Sequence, residues 1–334
     1  MRKYLSASII IFFSLLLLFF AGQCYLFFRA PLVGKSTTAI IKIYPRESIE
    51  TIAVRLKQAG ITRHPSFFAW IFTLTGNHLH FGEYQIRYPL TAWGLMKNMS
   101  AGIGLVKHKF TIVEGWTLSD VQAAMAKNSV LMEGNTLRDT SGDKKFSASE
   151  GWLYPSTYFF LWGNNDQVIY KTAYEKMQSV LNNAWISRDN NVPYQTPYQA
   201  LIAASLIERE TALTSEKPVI ASVVINRLAQ RMPLQVDPTV LYGLKKSYGS
   251  GITKKDLRSK TPFNTYVIRG LPPTPICMPS ESSIVAALHP ASTDYLYYVA
   301  DGTGGHVFSR TYQEHLKNIT EIRAASRRDA SGRG

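Results

Sequence analysis

The sequence is poor in cysteine and in charged residues, and it contains a single long apolar segment. Its 334 residues include two cysteines, which excludes a disulfide-stapled scaffold and a zinc module built on cysteine ligands. Only 18 % of the residues are charged and 12 % are aromatic, which excludes an intrinsically disordered chain. A multi-span membrane protein is excluded as well, because only residues 4–28 form a long uncharged apolar run. The length predicts two or three folded units.

Acidic residues are scarce too, since 23 of them stand against 37 lysines and arginines and leave a formal net charge of +14. This balance favours a polyanion, an anionic membrane surface or an acidic polymer as the partner. Nucleic acid is disfavoured, because no compact Lys/Arg run is interleaved with aromatic residues. The His-Glu-x-x-His and Gly-x-Ser-x-Gly motifs are absent and the seven histidines are scattered, so we predict neither a metal nor a cofactor.

Residues 4–28 lie between Lys3 and Arg29 and are predicted to form a membrane-spanning helix. At about 1.5 Å per residue the run exceeds the roughly 30 Å hydrocarbon core of a bilayer. It is also longer than the apolar core of about 7–15 residues in a cleaved signal peptide. We therefore predict an uncleaved anchor within residues 1–29. A first helix with a head of only three residues usually leaves that short end in the cytoplasm, so we expect a cytoplasmic stub and the body of the protein outside the cytoplasmic membrane. Lipidation at Cys24 and ordinary cleavage remain alternatives.

The rest of the chain predicts an α+β protein with several regions. These are a linker at 30–38, a small α+β unit at 39–112, a mostly helical connecting region at 113–193, a mixed α/β domain at 194–325 and a disordered tail at 326–334. Ser48 is a predicted N-cap, and Thr196 before Pro197 is another. Periodicity and turn residues predict helices at 65–74, 91–99, 197–210, 217–231 and 282–288, and strands at 39–44, 81–88, 295–300 and 306–308.

The most informative segment is 206–211 (Leu-Ile-Glu-Arg-Glu-Thr), at the end of an almost wholly apolar helix. A helix that is apolar all round is buried, so its terminal acids lie at the edge of a core. Burial and the negative end of the helix dipole both raise the pKa of a carboxyl group, as a general acid requires. Glu208 and Glu210 point roughly 200° apart and cannot flank one glycosidic bond, so at most one is catalytic. An ion pair with Arg209 or Arg227 is the structural alternative.

The sequence resembles the YceG-like family of endolytic murein transglycosylases over about 200 residues. The matching segments begin with 113–116 (Val-Glu-Gly-Trp), 150–158 (Glu-Gly-Trp-Leu-Tyr-Pro-Ser-Thr-Tyr) and the Glu-x-Glu-Thr segment itself. They continue with 221–228, 234–240, 261–266 (Thr-Pro-Phe-Asn-Thr-Tyr), 270–273 (Gly-Leu-Pro-Pro), 286–290 and 295–308. The resemblance implies a single transmembrane helix, a LysM-like module over the 39–112 unit and a catalytic transglycosylase domain at 194–325.

The resemblance also implies the reaction and the essential acid. The family cleaves the β-1,4 bond between N-acetylmuramic acid and N-acetylglucosamine inside peptidoglycan strands without adding water. Its essential acid is the second Glu of the Glu-x-Glu-Thr segment, which is Glu210 here. Glu210 would protonate the leaving oxygen and then accept a proton from the muramic acid 6-hydroxyl, which closes a 1,6-anhydro ring. The implied partners are glycan strands, the cytoplasmic membrane and peptidoglycan synthases.

Four polar or aromatic residues are predicted to contact sugar: Gln235, Asp237, Asn264 and Tyr266. Turn or cap roles beside Pro238 and Thr265 are the alternative for Asp237 and Asn264. Glu208 and His306 are secondary candidates, whereas Tyr242, Tyr297 and Tyr298 are expected in the core. Two other functions stay open: a silent murein-binding anchor, and a water-adding muramidase that would need a second acid such as Asp237.

Overall fold

The computed structural model describes residues 2–32, 38–76, 78–131 and 149–331, with the backbone alone at 2–6 and 326–331. These residues combine helices with short strands and form two compact units. The first unit consists of residues 2–109, 129–131 and 159–165, and the second of residues 110–128, 149–158 and 166–331. The chain first passes from one unit to the other after Lys109, whereas the sequence predicts a boundary after residue 112. Most of the predicted connecting region belongs to the second unit.

The described part of the first unit combines four helices with short antiparallel strands around one hydrophobic core. The elements are α1 (Arg2–Phe28), β1 (Pro31–Leu32), β2 (Thr38–Ile43), α2 (Ile49–Gln58), α3 (Pro65–Leu74), β3 (Gly82–Arg87), β4 (Leu90–Thr91) and α4 (Ala92–Ser100). β1 pairs with β4, and β2 pairs with β3. The Ser48 hydroxyl accepts a hydrogen bond from the backbone of Thr51 and starts α2, as predicted. Ile52, Ala53 and Leu56 then face the core because they share one side of the helix.

The N-terminal helix is both a candidate membrane span and a contributor to the first unit. Residues Ala7–Phe28 are long and apolar enough to cross a bilayer. Phe27, however, is only 5 % exposed and lies in the hydrophobic core of the unit. Pro31 and Leu32, predicted as linker, form β1 instead, and linker residues 33–37 lie outside the described residues.

Two strands follow α4 in the chain, and helices predominate after them. β5 (Lys107–Ile112) pairs with β6 (Ser156–Leu161), and α5 (Leu118–Ala126) lies between them in sequence. The remaining elements are α6 (Asp166–Ile186), α7 (Pro197–Glu210), α8 (Lys217–Ala229), α9 (Asp237–Gly243), a 3-10 turn (Asp256–Arg258), α10 (Glu281–Leu288), β7 (Tyr297–Ala300), β8 (His306–Ser309) and α11 (Tyr312–Ser331).

Helix α7 runs through the core of the second unit. Thr196 caps it by accepting from the backbone of Gln199, and every residue from 200 to 207 is buried, which confirms the predicted buried helix. Three alanines on α7 allow close packing with α6, α8 and α10: Ala200, Ala203 and Ala204. The core therefore fixes the direction of α7 and, with it, the position of its last residue, Glu210.

The C-terminal helix is longer than the sequence predicts. A disordered tail is expected from residue 326, but α11 continues to Ser331. Residues 324–328 (Ala-Ala-Ser-Arg-Arg) contain no glycine or proline and consist mainly of good helix formers, so they extend the helix. The tail prediction is wrong for residues 326–331, and residues 332–334 lie outside the described residues.

Candidate active site

Glu210 ends α7 with a carboxyl group in an environment that favours its protonated form. Thr211 is extended, so the chain leaves the helix immediately after the acid. The Oε1 atom of Glu210 is buried and has no hydrogen-bond partner among the described residues. Burial raises the pKa of Glu210 to about 7, and the negative charge of Asp237 acts in the same direction. A hydrogen bond from Tyr298 opposes the rise.

The hydrogen-bond donor to Glu210 comes from the β7–β8 hairpin. Tyr298 lies opposite Phe308 and Ala300 lies opposite His306, so Tyr298 and His306 are diagonal neighbours on one face. Their rings meet edge to face with centroids 5.4 Å apart. Burial raises the pKa of the Tyr298 phenol well above its usual value, so the phenol keeps its proton and donates it in the bond to Glu210.

His306 is held by Glu216, the residue that precedes α8. The backbone N–H of His306 donates to Glu216 Oε1, and the ring Nδ1 lies 2.8 Å from Oε2. Thr211 donates to the same carboxylate at 3.2 Å. Gly305 is needed for this approach, because a Cβ there would lie 2.9 Å from Glu216 Oε1. Through these bonds Glu216 links His306, the first residue of β8, to Thr211, the residue that follows Glu210.

Two of the predicted sugar-contacting residues lie at the start of α9: Gln235 on the loop before it and Asp237 as its first residue. Gln235 and Asp237 are both exposed. Gln235 has a φ of 53°, and its Oε1 accepts a hydrogen bond from Arg227 at 3.2 Å. Arg227 is buried and also donates to the backbone carbonyl of Leu234 at 2.8 Å, which fixes the loop. The Tyr266 hydroxyl donates to Asp237 Oδ1 at 2.6 Å. Tyr266, Asp237 and Gln235 therefore form one polar group beside the buried Arg227.

Asn264, the fourth predicted contact, is 0 % exposed. Its amide nitrogen donates to the backbone carbonyls of Leu257 and Ser259, at 3.1 and 2.7 Å. Its Oδ1 accepts from the backbone N–H of Tyr266 at 3.0 Å. The side chain organises the loop that carries Tyr266 and offers no surface to a ligand, which is the turn role considered above.

Glu208 lies in a separate network at the start of α10. Its Oε2 accepts from Ser280, Ser283 and the buried Lys217. Burial alone would raise the pKa of Glu208, but these hydrogen bonds and the Lys217 charge outweigh it and lower the pKa. Glu208 and Glu210 share none of these partners, in keeping with the wide angle between them on the helix. No group of three or more His, Cys, Asp or Glu side chains that could hold a metal occurs among the described residues.

Comparison with known proteins identifies the family of this chain. The model of the YceG-like family matches residues 41–321. The chain belongs to the YceG-like family. It is 32 % identical over 308 residues to the endolytic murein transglycosylase of Bacillus subtilis, covering 84 % of each chain. A protein of the same name from Streptococcus pneumoniae is 27 % identical over 94 % of this chain, which spans 64 % of that relative.

A solved structure agrees with this assignment. The crystal structure of a YceG-like protein from Listeria monocytogenes superposes with a TM-score of 0.54 at 29 % sequence identity. The match covers 84 % of this chain and 98 % of the Listeria chain. The family resemblance read from the ordered motifs is therefore confirmed.

Three residues at the site were not among the predicted functional residues of this YceG-like chain. The sequence places Tyr298 in the core and offers Arg227 only as an ion-pair partner, and nothing in it indicates a role for Glu216. A usable signal exists for Tyr298, because the predicted hairpin places it diagonal to His306. Arg227 lies in the matching segment 221–228, which gives its position but not its role. No local pattern marks Glu216, whose bonds to His306 span 90 residues.

A second carboxyl group with a raised pKa is that of the half-buried Glu150, in the Glu-Gly-Trp motif. Glu150 accepts from the Tyr242 hydroxyl at 3.0 Å and from the backbone N–H of Leu118 at 2.9 Å. Burial raises its pKa to about 6, against the effect of these two bonds. The next residue, Gly151, has a φ of +81°, and a Cβ there would lie 2.4 Å from Pro275. These contacts give the motif a structural role in the second unit.

Proposed function

We propose that the protein is an endolytic peptidoglycan lytic transglycosylase with Glu210 as its catalytic residue. The observation that carries the proposal is the buried Glu210 carboxyl, whose pKa is raised to about 7 at the end of a rigid core helix. Such a group is protonated in about half of the molecules at neutral pH, so it can both give and take a proton. The relatives named endolytic murein transglycosylases supply the substrate class.

In the proposed reaction Glu210 gives its proton to the oxygen between C1 of N-acetylmuramic acid and C4 of N-acetylglucosamine. As the C1–O bond breaks, the 6-hydroxyl oxygen of the muramic acid attacks C1, and the Glu210 carboxylate accepts the hydroxyl proton. The products are a 1,6-anhydro end and a free 4-hydroxyl, so no water is consumed and Glu210 is again protonated. Tyr298 supports the cycle, because its hydrogen bond stabilises the carboxylate form between the two transfers.

We propose that Gln235, Asp237 and Tyr266 contact the glycan, while His306 positions the hairpin that carries Tyr298. Exposed polar groups beside an aromatic ring suit a sugar, and this group lies on a loop held by a buried Arg227. Asn264 supports the same loop from inside. The Asp237 charge keeps the pKa of Glu210 high, which gives it an electrostatic role as well.

The proposed location is the cytoplasmic membrane, with α1 as a single span and the body on the outer side. Support comes from the length and composition of Ala7–Phe28 and from the position of peptidoglycan outside that membrane. A net charge of +14 favours a polymer that carries carboxylates, such as murein with its stem peptides. In this position the enzyme would trim or terminate nascent glycan strands beside peptidoglycan synthases.

For the first unit we propose a LysM-like, glycan-binding module. Its support is the order β2-α2-α3-β3, in which two antiparallel strands enclose two helices in sequence. This order agrees with the LysM-like module that the family resemblance implies for residues 39–112. The module would hold a strand while the second unit cleaves it.

The test is digestion of purified murein by the full-length protein in detergent, followed by mass spectrometry of the released sugars. We expect products that end in 1,6-anhydro-muramic acid, and we expect none from Glu210→Gln. Glu175→Gln, on the exposed side of α6, is the matched control and should remain active. Products with reducing ends would identify a muramidase instead. Murein that is bound and left intact would identify a binding protein.

A further inference from the structure

Helix α3 presents apolar side chains on two sides. Residues Pro65–Leu74 contain no charged side chain, and Phe68, Ala69 and Phe72 are buried in the first unit. On the other side Trp70 is 48 % exposed and Leu74 is 62 % exposed. A surface helix normally turns polar residues outward, so these side chains indicate a partner that is itself apolar.

The exposed side of α3 lies next to the candidate membrane span. The ring of Phe20, on α1, meets Phe67 with centroids 6.1 Å apart and Trp70 with centroids 6.2 Å apart. About two turns further along α1, Phe27 packs on Phe67 and Phe68 in the core of the unit. Helix α3 therefore packs beside the end of α1 from Phe20 to Phe27, a length of about 10 Å.

The depth of these contacts follows from the length of α1. A hydrocarbon core of about 30 Å takes about 20 helical residues. The uncharged run of residues 4–28 is longer than this core requires. With Lys3 placed at the inner edge, the outer edge falls near Gln23, so Phe20 lies just inside it and Phe27 lies beyond it. Trp70, in contact with Phe20, is thereby placed at the boundary between acyl chains and headgroups. Tryptophan is enriched at this level because one end of its ring system is apolar and the other carries an N–H donor.

We propose that α3 is an interfacial helix whose Trp70 and Leu74 side chains contact bilayer lipid. The proposal rests on the anchoring of α1 given under the proposed function. Arg29, which follows α1, and Arg63, which precedes α3, are exposed and suit the phosphates of anionic headgroups. With α3 in the interface, the first unit touches the membrane through a second element besides the span, and its tilt on the membrane is restricted.

Quenching by brominated lipid tests the proposal on the full-length protein reconstituted in phosphatidylcholine–phosphatidylglycerol vesicles. Bromines near the top of the acyl chains quench tryptophans at that depth. We expect the bromines to remove less emission from Trp70→Phe than from the wild type; this conservative variant removes one of six tryptophans. Trp185→Phe, on α6 of the second unit, is the matched control, and the amount of emission that the bromines remove should equal that of the wild type.

Two results would overturn the proposal, and they have different meanings. Equal loss of emission in the wild type and in Trp70→Phe would show that Trp70 does not meet lipid, while the anchor and the enzyme stand. Failure of the wild type to float with the vesicles would remove both the anchor and the interfacial helix. Murein cleavage is measured in detergent without vesicles, so neither result affects the assignment of Glu210.

Discussion

The pKa of Glu210 predicts the shape of the pH–activity profile. An ordinary glutamic acid, with a pKa of 4.5, would be protonated in only about 0.3 % of molecules at pH 7. With a pKa of about 7 the fraction is about one half, which is more than a hundredfold gain of the acid form. Because cleavage begins with proton donation, kcat/KM should fall about tenfold for each pH unit well above 7.

Two substitutions should move the alkaline limb of the profile, the fall of kcat/KM at high pH, in opposite directions. Tyr298→Phe removes the hydrogen bond that lowers the pKa of Glu210, so the limb moves to higher pH. Asp237→Asn removes the negative charge that raises this pKa, so the limb moves to lower pH. A loss of folding or of substrate affinity would lower both profiles without displacing them in opposite senses.

The assay follows 1,6-anhydro ends released from murein between pH 5 and 9 for each variant, at substrate levels that report kcat/KM. Tyr312→Phe, exposed on α11, is the control for loss of a phenol and should leave the limb where it is. A flat profile over this range, or a displacement of both limbs in one direction, would refute the role given to the Glu210 environment.

Three further predictions concern stability and binding. The carboxyl of Glu210 has a higher pKa in the fold, about 7 against 4.5, so the free energy of unfolding decreases as pH rises between these values. Glu210→Gln should therefore be more stable than the wild type at pH 8, by on the order of 3 kcal/mol, and equal to it at pH 4, as urea unfolding can check. Glu208→Gln leaves the buried Lys217 without its ion-pair partner and should lower the free energy of unfolding by about 3–5 kcal/mol. The double variant Glu208→Gln/Lys217→Met should recover part of this loss, and equal losses in the single and double variants would contradict the prediction. Asn264→Ala should lower the unfolding temperature, whereas Gln235→Ala should mainly raise KM for murein, and the reverse pattern would exchange their roles.

Local sequence signals predicted the scaffold of the site well. Thr196 and Pro197 mark the start of α7, and the apolar run after them indicates burial, because capping and periodicity act within a few residues. Burial at the end of this apolar helix also predicts the raised pKa of Glu210. The family motifs then selected Glu210 over Glu208, which helix geometry alone could not do.

The surroundings of the acid could not be predicted in the same way. Glu210 and Tyr298 are distant in sequence, and the hydrogen bond between Glu216 and His306 spans 90 residues. Such contacts depend on how helices and hairpins pack, which short-range patterns do not encode. Asn264 illustrates the limit, because a polar residue type is equally compatible with a ligand contact and with a buried bond to backbone carbonyls.

The central claim is that Glu210 transfers protons within the substrate and never activates water. Cleavage of murein in water enriched in the heavy oxygen isotope tests it directly, with mass spectrometry of the new muramic acid ends. If Glu210 transfers protons in this way, the new ends are anhydro ends that contain no heavy oxygen, and they disappear in Glu210→Gln. Reducing ends that carry the heavy isotope would contradict it and would direct attention to Asp237 as the group that activates water.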